Sequence, residues 1–196
     1  MKILLGVFVF LFLVIAFVGY KVSLIPNKPV HYHANFAVIE DGKLADFSKP
    51  EFMHISPCTD TDVHSDNPKD NVHLHEGIGN VVHVHADGIT WKTFFETIGY
   101  WEKITQDQEM AQRAENFTFD IRVNGESVND DVLTKPIIDR EQLLIVTGSM
   151  SADLKKDADA VGNNAKDYDD GKVGIEKCGA TGDRSFLQRF KIAFGL

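Results

Sequence analysis

The chain has 196 residues, a formal net charge of −9 and two cysteines. That length holds one ordinary domain with a modest core, and the absence of a Cys-x-x-Cys pair removes thiol–disulfide catalysis. The charge is uneven: residues 1–28 carry three lysines and no acid, residues 29–148 carry 21 acidic against 9 basic side chains, and residues 149–196 carry 8 of each. The acidity of the central stretch opposes binding to nucleic acid or to an anionic surface and favours cations.

Met1-Lys2 is followed by an uncharged apolar run from Ile3 to Val18. The run is near the lower limit for a spanning helix and longer than most signal-peptide cores. Residues 1–21 read as an uncleaved signal anchor, with a cleaved signal peptide as the alternative, and the bulk of the chain is placed on the extracytoplasmic side. No cysteine follows the run, which excludes lipoprotein processing, and Lys21 and Lys28 on its far flank blur the positive-inside bias. Residues 22–28 form a linker, 29–148 a His-rich domain and 149–196 a polar tail.

Val30 to Ile39 reads as a strand, Asp41-Gly42 as a hairpin turn, and Leu44 to Phe47 as the return. The polar stretch from Ser48 to Asn71 is too long for a mere connector. A second hairpin joins Val72–Glu76 to Val81–Ala86 around Gly77-Ile78-Gly79-Asn80. Thr90 caps a short helix whose Trp91, Phe94, Phe95 and Ile98 share one face, and Gly99 ends it. Thr105 to Glu115 reads as a second, mostly polar helix. Phe117 to Val123 alternates as a strand, Asn124-Gly125 turns it, Glu126 to Val128 returns, and Gln142 to Thr147 is the last strand. Ser149 to Thr181 is poor in apolar residues and reads as mostly irregular. Its Asp157-Ala-Asp-Ala-Val-Gly start is similar to a calcium loop, but Val161 and Tyr168 stand where oxygen ligands are required. Phe186 to Phe194 reads as a short basic amphipathic helix. The fold class is α+β: a small mixed sheet of hairpins packed on one short helix, behind an N-terminal transmembrane helix.

All eight histidines lie between positions 31 and 85, six of them in the pairs His31/His33, His73/His75 and His83/His85. Residues i and i+2 of a strand share a face, so each pair presents two imidazoles side by side opposite an apolar face. A hairpin register summing to 158 sets His75 against His83 and His73 against His85, with cross-strand Cβ atoms about 5 Å apart. The strand of His31 and His33 can lie alongside. Neutral imidazoles without thiolates suit zinc, copper(II) or nickel; zinc and copper stand equal. His31, His33, His73, His75, His83 and His85 are the candidate ligands, with His54 and His64 as secondary candidates. Cys58 and Cys178 form one disulfide if the compartment is oxidising, at most roughly 4–5 kcal/mol in the chain-entropy model.

The order hairpin, helix, strand–turn–strand, final strand from Val72 onward resembles a β-grasp domain over about 75 residues. The strings His31-Tyr-His-Ala-Asn-Phe-Ala-Val, Val72-His-Leu-His-Glu-Gly and Val81-Val-His-Val-His-Ala-Asp-Gly-Ile-Thr, followed by Phe94-Phe95, resemble a family of membrane-anchored prokaryotic proteins without an established activity. Some of its members carry a protein-disulfide isomerase label that these cysteines do not support. The resemblance spans residues 29–148 and implies that the anchored domain is a unit.

Two function classes follow. The first is a binding module that captures, buffers or senses zinc or copper. The second is a metal-dependent hydrolase or oxygenase with three histidines and an open position. Glu76 is the single carboxylate beside the pairs and, on a strand, would point away from His75. The glycine-rich His-x-His hairpin is similar to cupins but lacks their carboxylate spacing. With no acid–base partner, binding is preferred over catalysis and no catalytic residue is assigned. A third reading, without metal, is a pH-sensing surface of clustered imidazoles. Beyond the membrane no partner is assigned, and nucleic acid is excluded.

Overall fold

The computed structural model describes residues 2–28, 30–54, 67–149, 160–169 and 184–195. Cys58, Cys178 and His64 lie outside these residues, as does the start of the calcium-like stretch. The described residues divide into two units: 2–28 with 184–195, and 30–54 with 67–149 and 160–169.

In the first unit, α1 runs from Lys2 to Ser23 and its apolar window Gly6–Ser23 is long enough to cross a membrane. Its 22 residues extend roughly 33 Å, against a hydrocarbon core of about 30 Å.

In the second unit, the strands are β1 Tyr32–Glu40, β2 Lys43–Leu44, β3 Val72–His73, β4 Val81–Val84, β5 Thr118–Val123, β6 Glu126–Val128 and β7 Gln142–Gly148. The helices are α2 Pro68–Asn71, α3 Trp91–Thr97, α4 Trp101–Arg113 and α5 Ala165–Asp169. One seven-stranded sheet has the order β3-β4-β1-β7-β5-β6, with β2 also paired to β1. β1 is parallel to β7, Asn35 opposite Gln142 through Glu40 opposite Thr147, and the other pairings are antiparallel. Two hairpins turn where expected. Asp41 and Gly42 have φ +48° and +73°, and Asn124 and Gly125 have +52° and +85°, the left-handed pairs of tight two-residue turns.

One face of the sheet carries the main core. Ala34, Phe36 and Val38 of β1, Val82 and Val84 of β4, and Leu143 and Ile145 of β7 meet Trp91, Phe94 and Phe95 of α3. The aromatic side chains here are fully buried, each contributing about 1.5–3 kcal/mol. Thr90 caps α3 by accepting from the Thr93 N–H, and Gly99 follows at φ +74°.

One expectation is revised. The sheet does not pack on one short helix: α4 adds Ile104 to the same core and Trp101 beside it. Within the stretch expected to be mostly irregular, the 160–169 segment holds α5. Its Val161 packs on Ala37, Ile39, Leu144 and Val146, and its Ala165 and Tyr168 pack on Val81. The second face of the sheet is therefore covered too. Asn35 locks this cover, donating to Asn164 Oδ1 at 2.6 Å and accepting from the Ala165 N–H at 2.9 Å.

Candidate metal centre

β4 lies between β3 and β1, so its histidines have neighbours on both sides. His83 is opposite His73 on β3 and opposite His33 on β1. The hairpin register therefore sums to 156 rather than 158, and His73, not His75, faces His83. The parity is even, which keeps every histidine on one face. The two-residue slip follows from the loop: β3 ends at His73, Glu76 and Gly77 adopt φ +57° and +73°, and Gly79 runs against the backbone of Phe47 and Ser48. His85, beyond the end of β4, donates its backbone N–H to the Asn71 carbonyl and stacks its ring on His31 at 4.6 Å.

The imidazoles touch in sequence. Ring centroids lie 4.7 Å apart for His31–His33, 4.5 Å for His33–His83, 3.8 Å for His75–His83 and 5.0 Å for both His73–His85 and His54–His73. His54 comes to this row because its backbone N–H donates to the Leu74 carbonyl at 2.7 Å. The structure thus brings together His31, His33, His54, His73, His75, His83 and His85.

The tightest convergence is on His83 Nδ1, which lies 3.0 Å from His33 Nε2 and 3.1 Å from His75 Nε2. Bonds of about 2.0–2.1 Å to one ion set neighbouring donors about 2.9 Å apart at a right angle and about 3.3 Å apart at a tetrahedral angle. The observed separations fall inside that range. One ligand atom each from His31, His33 and His83 also lie within 4.8 Å of one another. Among the described residues, His31, His33 and His83 are thus the group whose ligand atoms all lie close enough to share one ion, with His75 against His83 beside it.

Several rings are oriented by their remote nitrogens. His73 Nδ1 donates to the Lys69 carbonyl at 2.7 Å, which leaves Nε2 as its lone-pair nitrogen. His54 Nε2 lies 3.0 Å from Asp70 Oδ1. The His73 and His54 contacts, to a carbonyl and a carboxylate, are of the kind that fixes the tautomer and rotamer of metal-bound histidines; Glu76 Oε2, 3.9 Å from His75 Nδ1, is beyond hydrogen-bond reach. Glu76 does not point away from His75 as a strand residue would; its left-handed φ folds it back.

The face is also dry. His33 and His83 are 1% and 0% exposed, and the Tyr168 ring of α5 covers them at 5.4 and 5.5 Å. Burial, with the neighbouring imidazoles behind it, lowers His73 to about 3 and His85 to about 2, and pushes His83 well below the usual histidine range. These rings are neutral at pH 7, the state that a metal requires.

Neither a protein-family model nor a curated protein nor a solved structure is similar to the chain. The geometry stands by itself. Among the described residues, seven buried or half-buried imidazoles form the row, with Asp70 against His54 at one end, and His31, His33 and His83 within it could hold a metal ion.

Sequence reading places Asn35 on the histidine face and Asp70 in the loop of His54, but misses the other residues that close and orient this face: Tyr168, Ala165, Asn164 and the Lys69 carbonyl. One signal was present. Val161, Ala165 and Tyr168 fall at i, i+4 and i+7, the spacing of a helix face, and the two residues that spoil a calcium loop are core residues.

Proposed function

We propose that the protein is a membrane-anchored, extracytoplasmic metal-binding protein that captures, buffers or senses zinc or copper through its histidine face. The observation that carries this reading is the approach of His33 Nε2 and His75 Nε2 to His83 Nδ1 at 3.0 and 3.1 Å. Spacings of this size suit a shared proton as well as a cation; the third imidazole, His31, with a ligand atom within 4.8 Å of those of His33 and His83, supports the cation. The low titration of His73 and His85 speaks against a pH switch near 6. The cover of Ala165 and Tyr168 favours storage or sensing over turnover, since a catalytic ion needs an open position. Zinc and copper suit the all-imidazole set equally.

The placement outside the cytoplasm rests on the apolar α1 as a signal anchor, with 29–148 as the working domain and residues 149–196 as its tail. Membership in the family of His-x-His membrane proteins belongs to the same proposal. So does a β-grasp-like reading, supported by the order β4-β1-β7-β5-β6 with its central pair parallel. A Cys58–Cys178 disulfide would suit that compartment.

Elemental analysis of the full chain, purified in detergent without a histidine tag, tests the function. Near-stoichiometric zinc or copper is expected in the parent. It should be lost in a folded His33→Ala/His75→Ala/His83→Ala variant. A metal-free parent that also takes up neither ion on titration overturns the reading.

A further inference from the structure

The unit formed by 2–28 and 184–195 has a surface chemistry of its own. Among its described residues are six basic side chains and no acidic one, in a chain of net charge −9. Five of the six, Lys21, Lys28, Arg184, Arg189 and Lys191, belong to the end of α1, the turn after it, and the segment that carries α6, Phe186–Phe194. Two arginines join these parts. Arg189 Nη2 donates to the Val22 carbonyl at 2.9 Å, and Arg184 Nη1 donates to the Pro26 and Lys28 carbonyls at 3.3 and 3.2 Å. A helix C-terminus leaves its last carbonyls without intrahelical partners and attracts cations. Arg189 therefore satisfies a carbonyl at the end of α1, while Arg184 holds the turn that follows it, and together they keep α6 beside that end.

α6 is a closed piece of helix, begun by a Ser185–Gln188 capping box and ended by Gly195 at φ +66°. Phe186, Phe190 and Phe194 repeat every four residues, with ring centroids 6.4 and 4.8 Å apart. At about 100° per residue these three and Leu187 fill an arc of roughly 100°. Phe186 and Leu187 are 65% and 62% exposed. Lys191 borders the arc and is exposed, as is Lys28. An aromatic stripe flanked by cations is the pattern of a helix that lies in a bilayer interface. The end of a spanning helix is where aromatic side chains collect.

We propose that α6 is a second membrane-binding element of this protein. It lies in the headgroup region of the leaflet that receives the C-terminal end of α1, its phenylalanines and Leu187 in the acyl boundary and Lys28 and Lys191 against anionic headgroups. This rests on reading α1 as a membrane span. The occupant of the stripe is lipid rather than a second copy of the chain, because Arg189 holds α6 at the end of the span and the like charges around the stripe repel another copy.

The test uses the full chain in nanodiscs, with the photo-crosslinker benzoylphenylalanine at Leu187 or, separately, at Phe12 in the middle of α1. Discs contain phosphatidylglycerol or phosphatidylcholine alone. Lipid adducts are expected at both positions with phosphatidylglycerol, with a lower yield at 187 in phosphatidylcholine. Lys28→Gln and Lys191→Gln should each lower the bound-to-free ratio of α6 in phosphatidylglycerol about fivefold. Adducts at 12 with none at 187, or with adducts at 187 only to another copy of the chain, overturn the proposal while the span stands. No lipid adduct at 12 overturns the span, and the proposal with it. A yield at 187 that ignores both headgroup and lysines overturns the role given to anionic lipid.

Discussion

His83 holds its place in the site through position rather than chemistry. It sits on the middle strand of three, with an imidazole opposite on each side, so its removal breaks the His31–His33–His83 group and the His75 contact at once. His83→Ala is expected to abolish stoichiometric metal uptake. Asp70→Asn, which only loosens the orientation of His54, should weaken affinity about tenfold; competition against a chelator of known affinity measures both. An equal effect of the two substitutions would show that the ion is not centred on His83. Gly79 acts at the same scale for a different reason. A Cβ there would meet the backbone of Ser48 and Phe47 at 2.5 and 2.6 Å, and backbone cannot yield as a side-chain tip does. Gly79→Ala should cost about 1–3 kcal/mol in chemical denaturation, and an unchanged midpoint would mean that the loop relaxes freely. The His-x-His alternation was readable residue by residue, since period two is a local property. The partners of each histidine were not, because register depends on where the loop lets the strand stop.

At the scale of elements, the strands, the two tight turns and the capped helix α3 were legible from alternation, Asn-Gly and Asp-Gly signals, and a four-residue apolar face. The cover of the histidine face was not. α5 is one short turn in a polar stretch, too brief for periodicity to stand out, and only its contacts with Val81 and the histidine rings reveal its purpose. Likewise α4 reads as polar because Ile104 is its one fully buried apolar side chain. Tyr168→Ala should lower stability by about 2–4 kcal/mol through lost packing and speed hydrogen exchange at the amides of β4 more than at those of β5. Exchange that rises equally on both strands would mean that α5 steadies the whole sheet instead of shielding its histidine end.

For the whole molecule, the histidine face ties stability to pH. His73, His83 and His85 titrate below the ordinary value of 6.5 in the folded protein. The unfolded chain therefore binds more protons below about pH 6.5, and stability is fully present above that value and lost as pH falls toward the folded values. Each such group contributes a slope of about 1.4 kcal/mol per pH unit. Metal-free protein should lose roughly 2–6 kcal/mol between pH 7.5 and 5, read by urea denaturation, and a flat profile would contradict the burial of these rings. The sheet itself imposes an order of events. β1 is central, yet its parallel neighbour β7 lies more than a hundred residues later, Asn35 meeting Gln142. Pairings that distant form slowly, because the closure entropy precedes any gain from contact. The histidine strands are closer in sequence: His73 and His83 are ten positions apart and His33 pairs with the same His83, so every strand of the histidine face has been synthesised by residue 85. A nascent chain thus carries all of its imidazoles well before β7 arrives, and a cation bound to them would hold β1 beside β4 while the parallel pairing is still to come.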